Sequence, residues 1–196
     1  MRRTPEEVPG VQLFTAECFR DERGFLVEAW VRSKLRARGI EGEFRQAVQT
    51  VSRRGVARGL HFQWAPPVAK LVRCAQGAVL DVIVDVRIGS PTLGDHVAVE
   101  LSGENHRLLW VPNGFAHGFM ALEDQSMMFY QFTAEWSPAG EGAIRWNDEA
   151  LGVSWPDIPP IVSERDQRAP TLEEWLRDPR SQNFRYGQDE SRQART

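Results

Sequence analysis

Short segments rich in β-branched and aromatic residues, separated by turn residues, run through most of this chain and restrict the folds open to it. The clearest spans residues 79–86, where the side chains alternate so that Asp81 and Asp85 share a face. Further strands are predicted at residues 11–14, 44–52, 59–63, 69–74, 96–101, 107–111, 118–122 and 127–133. Strands this closely spaced predict an all-β sandwich or barrel, because βαβ units would need helices between them.

Helical signals are few and short. Residues 33–38 predict a single polar turn, and residues 170–176 predict a helix with Thr171 at its N-terminal cap. Glu174 follows three residues after Thr171 and completes a capping box. From residue 180 onward the chain is polar and almost free of aliphatic side chains, so we expect a flexible tail over residues 180–196.

Composition excludes several classes of protein. The chain has 196 residues, of which 41% are hydrophobic, enough for a buried core. Its net charge of −3 argues against a general nucleic-acid-binding protein. No apolar stretch reaches the length of a membrane span, and the first residues lack an apolar signal core. Two cysteines cannot form a disulfide framework, so we expect a reducing, cytoplasmic location.

A histidine lies in the strand-like motif Arg-Gly-Leu-His-Phe-Gln at residues 58–63. On a strand, Gly59, His61 and Gln63 share one face. An imidazole next to a glycine is accessible and titrates near neutral pH, which suits proton transfer. From this segment alone, a hydrogen-bonded core histidine explains the pattern equally well.

Three other reactive side chains lie in apolar surroundings. His117 is part of a Pro-x-Gly-x-x-His-x-Phe pattern at residues 112–119, Tyr130 interrupts an apolar strand, and Asp166 follows a proline-rich segment. Each also has a structural explanation. A buried tyrosine can bond a backbone carbonyl, and an aspartate often caps a helix or turn.

The pattern at residues 112–119 resembles the second motif of the cupin superfamily, whose members fold as a double-sheet barrel and often hold a metal. Metal-binding cupins also carry a His-x-His pair, but here Gln63 follows His61 at that spacing. Too few ligands remain for a histidine-rich metal site. We therefore expect no metal or other cofactor, and chemistry carried out by side chains.

Taken in order, the motifs resemble the dTDP-4-dehydrorhamnose 3,5-epimerase family, the RmlC-like cupin sugar-nucleotide epimerases. The matching segments are residues 19–28, 58–63, 70–72, 77–85, 90–92, 112–119, 130, 146–148, 155–156 and 163–166. The resemblance implies one jelly-roll domain over residues 1–179 with short peripheral helices, and a homodimer. It implies inversion of C3 and C5 in a nucleoside-diphospho-4-keto-6-deoxyhexose, because the ketone acidifies the neighbouring C–H bonds.

The resemblance also implies catalytic roles. His61 matches the base, Asp166 the carboxylate that orients it, and Tyr130 the acid on the opposite face of the sugar. Lys70 matches the cation beside the C4 oxygen, where negative charge develops. It is one of only two lysines in the chain.

Seven further residues match binding positions of the family. Arg23, Arg58 and Gln46 correspond to contacts near the diphosphate, and His117 to a residue that positions the sugar ring. Trp136 lies where an aromatic side chain approaches the base. Phe25 and Glu28 belong to a segment expected to cross to the neighbouring subunit, where Glu28 reaches the nucleotide.

Some positions depart from the family pattern. Val48 replaces an asparagine, and Phe132 and Trp136 follow Tyr130 where threonine and tyrosine are usual. Features shared with antibiotic-pathway relatives leave open an enzyme that acts at C3 or C5 only. Two other classes remain as alternatives: a metal-dependent cupin, which needs at least three ligands around His61 and His117, and a non-catalytic sugar-binding barrel.

Overall fold

Two β-sheets packed face to face form the body of the protein. The structure is a computed structural model and describes residues 1–187. Within these residues the strands are β1 (Arg2–Arg3), β2 (Gln12–Thr15), β3 (Glu17–Asp21), β4 (Gly24–Glu28), β5 (Gln46–Ser52), β6 (Val56–Gln63), β7 (Lys70–Gln76), β8 (Ala78–Asp85), β9 (His96–Ser102), β10 (Arg107–Val111), β11 (Phe115–Ala121), β12 (Ser126–Phe132), β13 (Glu141–Ala143) and β14 (Ile161–Val162). The helices are α1 (Arg32–Arg36), α2 (Glu164–Gln167) and α3 (Leu172–Arg177), with 3₁₀ turns at Pro5–Glu7, Pro138–Gly140, Glu149–Leu151 and Pro179–Asn183.

The larger sheet has the order β1-β9-β8-β11-β6-β13, with β14 also paired to β6, and the smaller sheet has the order β2-β10-β7-β12-β5. This confirms the predicted all-β jelly roll with short peripheral helices. The β3–β4 hairpin stands apart as a two-stranded sheet and was missed by the strand prediction. Its residues are mostly exposed, so the hairpin lacks the alternation of polar and apolar residues that marks a strand with one buried face. None of the helices described in residues 1–187 is long and apolar enough to cross a bilayer.

The main core lies between the two sheets, and β8 contributes to it with one face. Val79 and Ile83 join this core, while Val82 and Val84 point the other way into a second apolar cluster on the outer side of the same sheet. A strand buried on both faces shows only partial alternation of polar and apolar residues, as β8 does in the sequence.

The C-terminal residues cover that outer cluster. Trp175 of α3 and Phe184 are both buried in it, and the Ile88 N–H donates to the Phe184 carbonyl at 2.8 Å. α3 has the predicted capping box at its start. The folded part therefore extends beyond the expected boundary at residue 179. The expectation of a tail from residue 180 is wrong for residues 180–187, because Phe184 is an anchor in an otherwise polar segment, and residues 188–196 lie outside the described residues.

An irregularity between β6 and β11 shapes the interior of the barrel. His117 pairs with His61, but Phe119 pairs with Arg58, so β6 has one residue more than β11 between the two pairs. The strands approach so closely here that a Cβ on Gly59 would lie 2.6 Å from the Gly118 Cα. The extra residue turns Arg58 toward the same cavity as His61, which regular alternation would not do.

Candidate active site

A cavity of about 750 Å³ opens between the two sheets. Strands β6 and β11 form one wall, β5, β7 and β12 form the facing wall, and α2 lies at the rim. The polar and aromatic side chains that line it include Gln46, Thr50, Arg58, His61, Phe62, Gln63, Lys70, His117, Phe119, Tyr130, Phe132, Trp136, Glu141, Ser163, Arg165 and Asp166. The predicted site residues therefore meet in one cavity, apart from three that are described below.

The predicted pair of His61 and Asp166 is formed. His61 Nε2 lies 2.6 Å from Asp166 Oδ1 and donates to the carboxylate, which leaves Nδ1 with the lone pair. Asp166 lies in the first turn of α2, whose cap Ser163 accepts a bond from the Asp166 N–H. The cap of this helix is therefore Ser163, and Asp166 is free to bond the imidazole.

The environment keeps Asp166 ionised. Burial by itself would raise the pKa of Asp166, but the hydrogen bond and charge of His61, together with Ser163 and the Gly59 N–H, hold this pKa below its ordinary value. An ionised carboxylate fixes the tautomer of the histidine and stabilises the imidazolium that forms when the ring accepts a proton. The imidazole itself is 29% exposed, so it can be reached from the cavity.

A second histidine–aspartate pair lies deeper on the same wall. His117 Nε2 lies 3.0 Å from Asp81 Oδ1 and 2.9 Å from Asp81 Oδ2, and both side chains are buried. The His117 ring meets the Tyr130 ring edge to face at 6.0 Å between centroids. Of the two β8 carboxylates noted in the sequence, Asp81 thus bonds a histidine, while Asp85 pairs with Arg87 away from the cavity.

Tyr130 extends from β12 on the facing wall. Burial is the main reason that the pKa of Tyr130 is raised well above that of a free phenol; the Asp81 charge adds to the rise, while Thr50 and Arg58 act against it. The phenol is therefore protonated at any physiological pH and available as a proton donor. Phe132 stacks on its ring at 5.8 Å, which restricts the ring's orientation.

Lys70 begins β7 and is buried against the same cavity. Its ammonium donates to the His61 carbonyl oxygen at 3.1 Å. Burial lowers the pKa of Lys70 to about 8, even though Asp81 and Glu141 act in the opposite direction. An ammonium has three N–H donors, and the one directed at His61 leaves others for a ligand oxygen.

The cavity mouth carries three residues that can bind a ligand. Arg58 lines the cavity while its Nε donates to Ser52 Oγ at 3.2 Å. The Trp136 N–H donates to Gln46 Oε1 at 2.7 Å, and the indole is 59% exposed at the rim. His117 lies deeper in the same cavity.

Three predicted binding residues lie outside this cavity. Arg23 is at the tip of the β3–β4 hairpin, where it is 84% exposed and pairs with Asp21. Phe25 is exposed on the same hairpin and packs beside His106, and Glu28 bonds Lys34 at 2.6 Å. Within one chain the hairpin does not reach the cavity that holds His61.

Two charged residues of the site, Arg165 and Glu141, were not predicted from the sequence. Arg165 bonds Glu141 Oε2 at 2.7 Å and so ties α2 to β13 across the mouth of the cavity. Arg165 directly precedes Asp166 and could have been found from that position, whereas Glu141 lies in a Gly-rich segment that carries no motif.

Metal ligands are not gathered in this site. Residues 1–187 contain no group of three or more His, Cys, Asp or Glu side chains placed to share a metal ion. His61 and His117 each bond their own aspartate instead. The donor set fits proton transfer between side chains and a ligand.

Comparison with known proteins decides the family. A family model described as dTDP-4-dehydrorhamnose 3,5-epimerase matches residues 5–174. The dTDP-4-dehydrorhamnose 3,5-epimerase of Salmonella typhimurium is 44% identical over 172 residues, which cover 86% of this chain and 94% of that enzyme. The chain belongs to the dTDP-4-dehydrorhamnose 3,5-epimerase family. It is therefore an epimerase, and the expected family and enzyme class are confirmed.

Solved structures of similar proteins agree with this assignment. A 3,5-epimerase from Legionella pneumophila, in complex with dTDP-4-keto-L-rhamnose, superposes with a TM-score of 0.84 at 37% identity and covers 89% of this chain and 92% of its own. A 3'-monoepimerase from Streptomyces bikiniensis, in complex with dTDP-quinovose, gives 0.86 at 33% identity and covers 98% of both chains. The fold is thus shared by epimerases that act at one carbon and at two.

Proposed function

We propose that this chain inverts C3 and C5 of a dTDP-4-keto-6-deoxyhexose in rhamnose-type deoxysugar biosynthesis. The observation that carries the proposal is the placement of a base and an acid on facing walls of one cavity. His61 and its carboxylate belong to the β6 side, and Tyr130 belongs to the β12 side. Inversion of a carbon requires a proton to leave from one face and return to the other, which this arrangement allows.

His61 acts as the base in this proposal. Nδ1 carries the lone pair, because Nε2 is committed to Asp166, and takes the proton from the carbon next to the ketone. The electron pair of the broken C–H bond moves toward the C4 oxygen and forms an enolate. Asp166 stabilises the imidazolium without taking its proton, because its own pKa is low.

Lys70 holds the enolate oxygen. Its ammonium lies beside the His61 backbone, so an oxygen within its reach is also close to the base. A buried cation stabilises developing negative charge more strongly than one in water, because few water molecules screen it. Tyr130 then delivers its proton to the opposite face of the carbon as the enolate electron pair returns to it. The phenolate recovers a proton from solvent and the His61 imidazolium releases its proton to solvent before the second centre reacts.

Binding of the nucleotide is assigned to the mouth of the cavity. Arg58 is suited to the diphosphate, since a guanidinium forms paired hydrogen bonds with phosphate oxygens. Gln46 lines the same cavity from the facing wall, His117 positions the sugar ring, and the exposed indole of Trp136 offers a surface for the nucleobase.

A homodimer would place the hairpin residues at a neighbouring cavity. Arg23, Phe25 and Glu28 lie on a two-stranded hairpin that is separate from the main sheets, with Phe25 and Leu26 exposed. We infer that these residues complete the site of a second subunit, with Glu28 near its nucleotide. The cytoplasmic location and the absence of nucleic-acid and membrane partners stay predictions.

Incubation with dTDP-4-keto-6-deoxyglucose in D₂O, followed by proton NMR, tests the proposed reaction. We expect deuterium at both C3 and C5, because the exchanged protons are returned from solvent. Deuterium at only one carbon would show that the protein is a monoepimerase and not a double epimerase. No exchange at either carbon would reject catalysis on this substrate and favour a binding protein, and a stoichiometric transition metal in the purified protein would favour a metal-dependent cupin.

The pH dependence of kcat tests the role of Lys70. Burial lowers its pKa to about 8, so the ammonium loses its proton at a lower pH than a free lysine and kcat should fall as the pH rises through that value. Lys70→Arg should reduce kcat at pH 7 by about 10²-fold, because the wider guanidinium does not fit the buried position. Its remaining activity should lack the alkaline fall, since arginine stays charged. If kcat of this variant still fell at alkaline pH, the fall would belong to the titration of a group other than Lys70.

A further inference from the structure

The carboxamide of Gln63 makes three hydrogen bonds in a buried position on the same strand as His61. Its Nε2 donates to the Pro66 carbonyl at 2.9 Å and to the Glu135 carbonyl at 3.0 Å. Its Oε1 accepts from the Ser137 N–H at 2.9 Å. The side chain is 5% exposed, so both amide hydrogens are used by the protein.

Two of these bonds fall on either side of Trp136. The backbone of Glu135 and Ser137 is held by Gln63, and the N–H of Trp136 itself is held by Gln46. Three consecutive residues are therefore tied by glutamine side chains, while the indole between them is 59% exposed at the mouth of the cavity. An exposed aromatic ring on a fixed backbone is a preorganised surface for a planar ligand.

We propose that Gln63 is a positioning residue that sets the orientation of Trp136 and thereby the affinity for the nucleoside part of the substrate. The inference rests on the proposed function, in which Trp136 faces the nucleobase of the substrate. In this proposal Gln63 contacts neither the reacting carbon nor the nucleobase. It acts through the loop, so its loss should weaken binding and leave proton transfer at His61 intact.

The physical reason is the cost of ordering the loop. An apolar side chain at position 63 leaves the Pro66 and Glu135 carbonyls and the Ser137 N–H without their side-chain partner. These groups then bond water instead, and the loop is no longer tied to β6. Trp136 then samples several orientations, only a fraction of which can stack on a base. The apparent dissociation constant rises in inverse proportion to that fraction.

A double-mutant cycle measured by titration calorimetry with dTDP tests this inference. The variants are Gln63→Leu, Trp136→Ala and the double variant. Gln49→Leu, at an exposed position of β5 outside the cavity, is the control. We expect Gln63→Leu and Trp136→Ala each to weaken dTDP binding about tenfold. The double variant should bind no more weakly than Trp136→Ala, because Gln63 has nothing left to position. Kinetics should show a raised KM for Gln63→Leu with kcat within about twofold of the wild type.

Several outcomes would overturn the proposed positioning role of Gln63. Additive losses in the double variant would assign Gln63 an effect independent of Trp136, and unchanged binding in either single variant would remove the link to affinity. Gln63→Met, of similar length, serves as a second variant. If both Gln63 variants lose the folded circular dichroism spectrum, the residue is structural and the proposal is rejected. Each of these results can occur with normal C3 and C5 exchange in the wild type, whereas absent exchange rejects the proposed function itself.

Discussion

Replacing His61 with asparagine is expected to lower kcat by about 10³–10⁴-fold and to stop deuterium exchange at both C3 and C5. Asparagine can still donate to Asp166, so the carboxylate keeps a partner and the fold is retained. It cannot accept a proton at neutral pH, so no enolate forms. The measurement is proton NMR of the substrate in D₂O together with initial rates of product formation.

The matched control is His106→Asn. The His106 ring packs beside Phe25 of the β3–β4 hairpin, and its backbone has a φ of 49°, a conformation that asparagine tolerates well. Arg20 bonds its ring outside the cavity. We expect this variant to keep more than half of the wild-type exchange rate. More than a tenth of the wild-type exchange in His61→Asn would show that another group removes the proton.

Replacing Tyr130 with phenylalanine should separate exchange from inversion. His61 can still remove a proton and return deuterium to the same face, so exchange should continue within about tenfold of the wild-type rate. Net inversion should fall by about 10²–10³-fold, because the proton donor on the opposite wall is lost. Phenylalanine preserves the stacking on Phe132 and the edge contact with His117, so packing changes little.

Tyr186→Phe is the matched control, since Tyr186 is the other tyrosine of the chain and lies over Arg87 outside the cavity. It should leave exchange and inversion unchanged. Equal losses of exchange and inversion in Tyr130→Phe would mean that the phenol is needed before the proton leaves carbon. Unchanged inversion would mean that another acid, or water, reaches the opposite face.

Local patterns were sufficient for most of the framework. The alternation and turn residues around β5 to β12 predicted strands where the structure has them, and the capping box of α3 was read from Thr171 and Glu174. The hairpin β3–β4 and the two-residue strands were not predicted, because pairing with a neighbouring strand, rather than apolar periodicity, defines them.

The order of the motifs indicated the family, whereas the structural roles of some single residues were not predicted. Lys34 lies in the segment predicted as a polar turn, and no role was predicted for it. Its ammonium bridges Glu17 at 2.8 Å and Glu28 at 2.6 Å. These two carboxylates face each other across the hairpin, and only pairing of β3 with β4 brings them together. Phe184 was likewise predicted to lie in a polar tail, and only its packing against α3 shows that it is buried.

The sequence by itself determined the strand framework, the family and the identity of the groups able to transfer protons. Those properties depend on residue type and on neighbours a few positions away. Only the tertiary structure decided which groups meet. Asp166 is 105 residues from His61 along the chain but bonds it at 2.6 Å, and the extra residue in β6 turns Arg58 into the cavity. Contacts of this kind arise from strand register and packing between sheets, which local spacing does not encode.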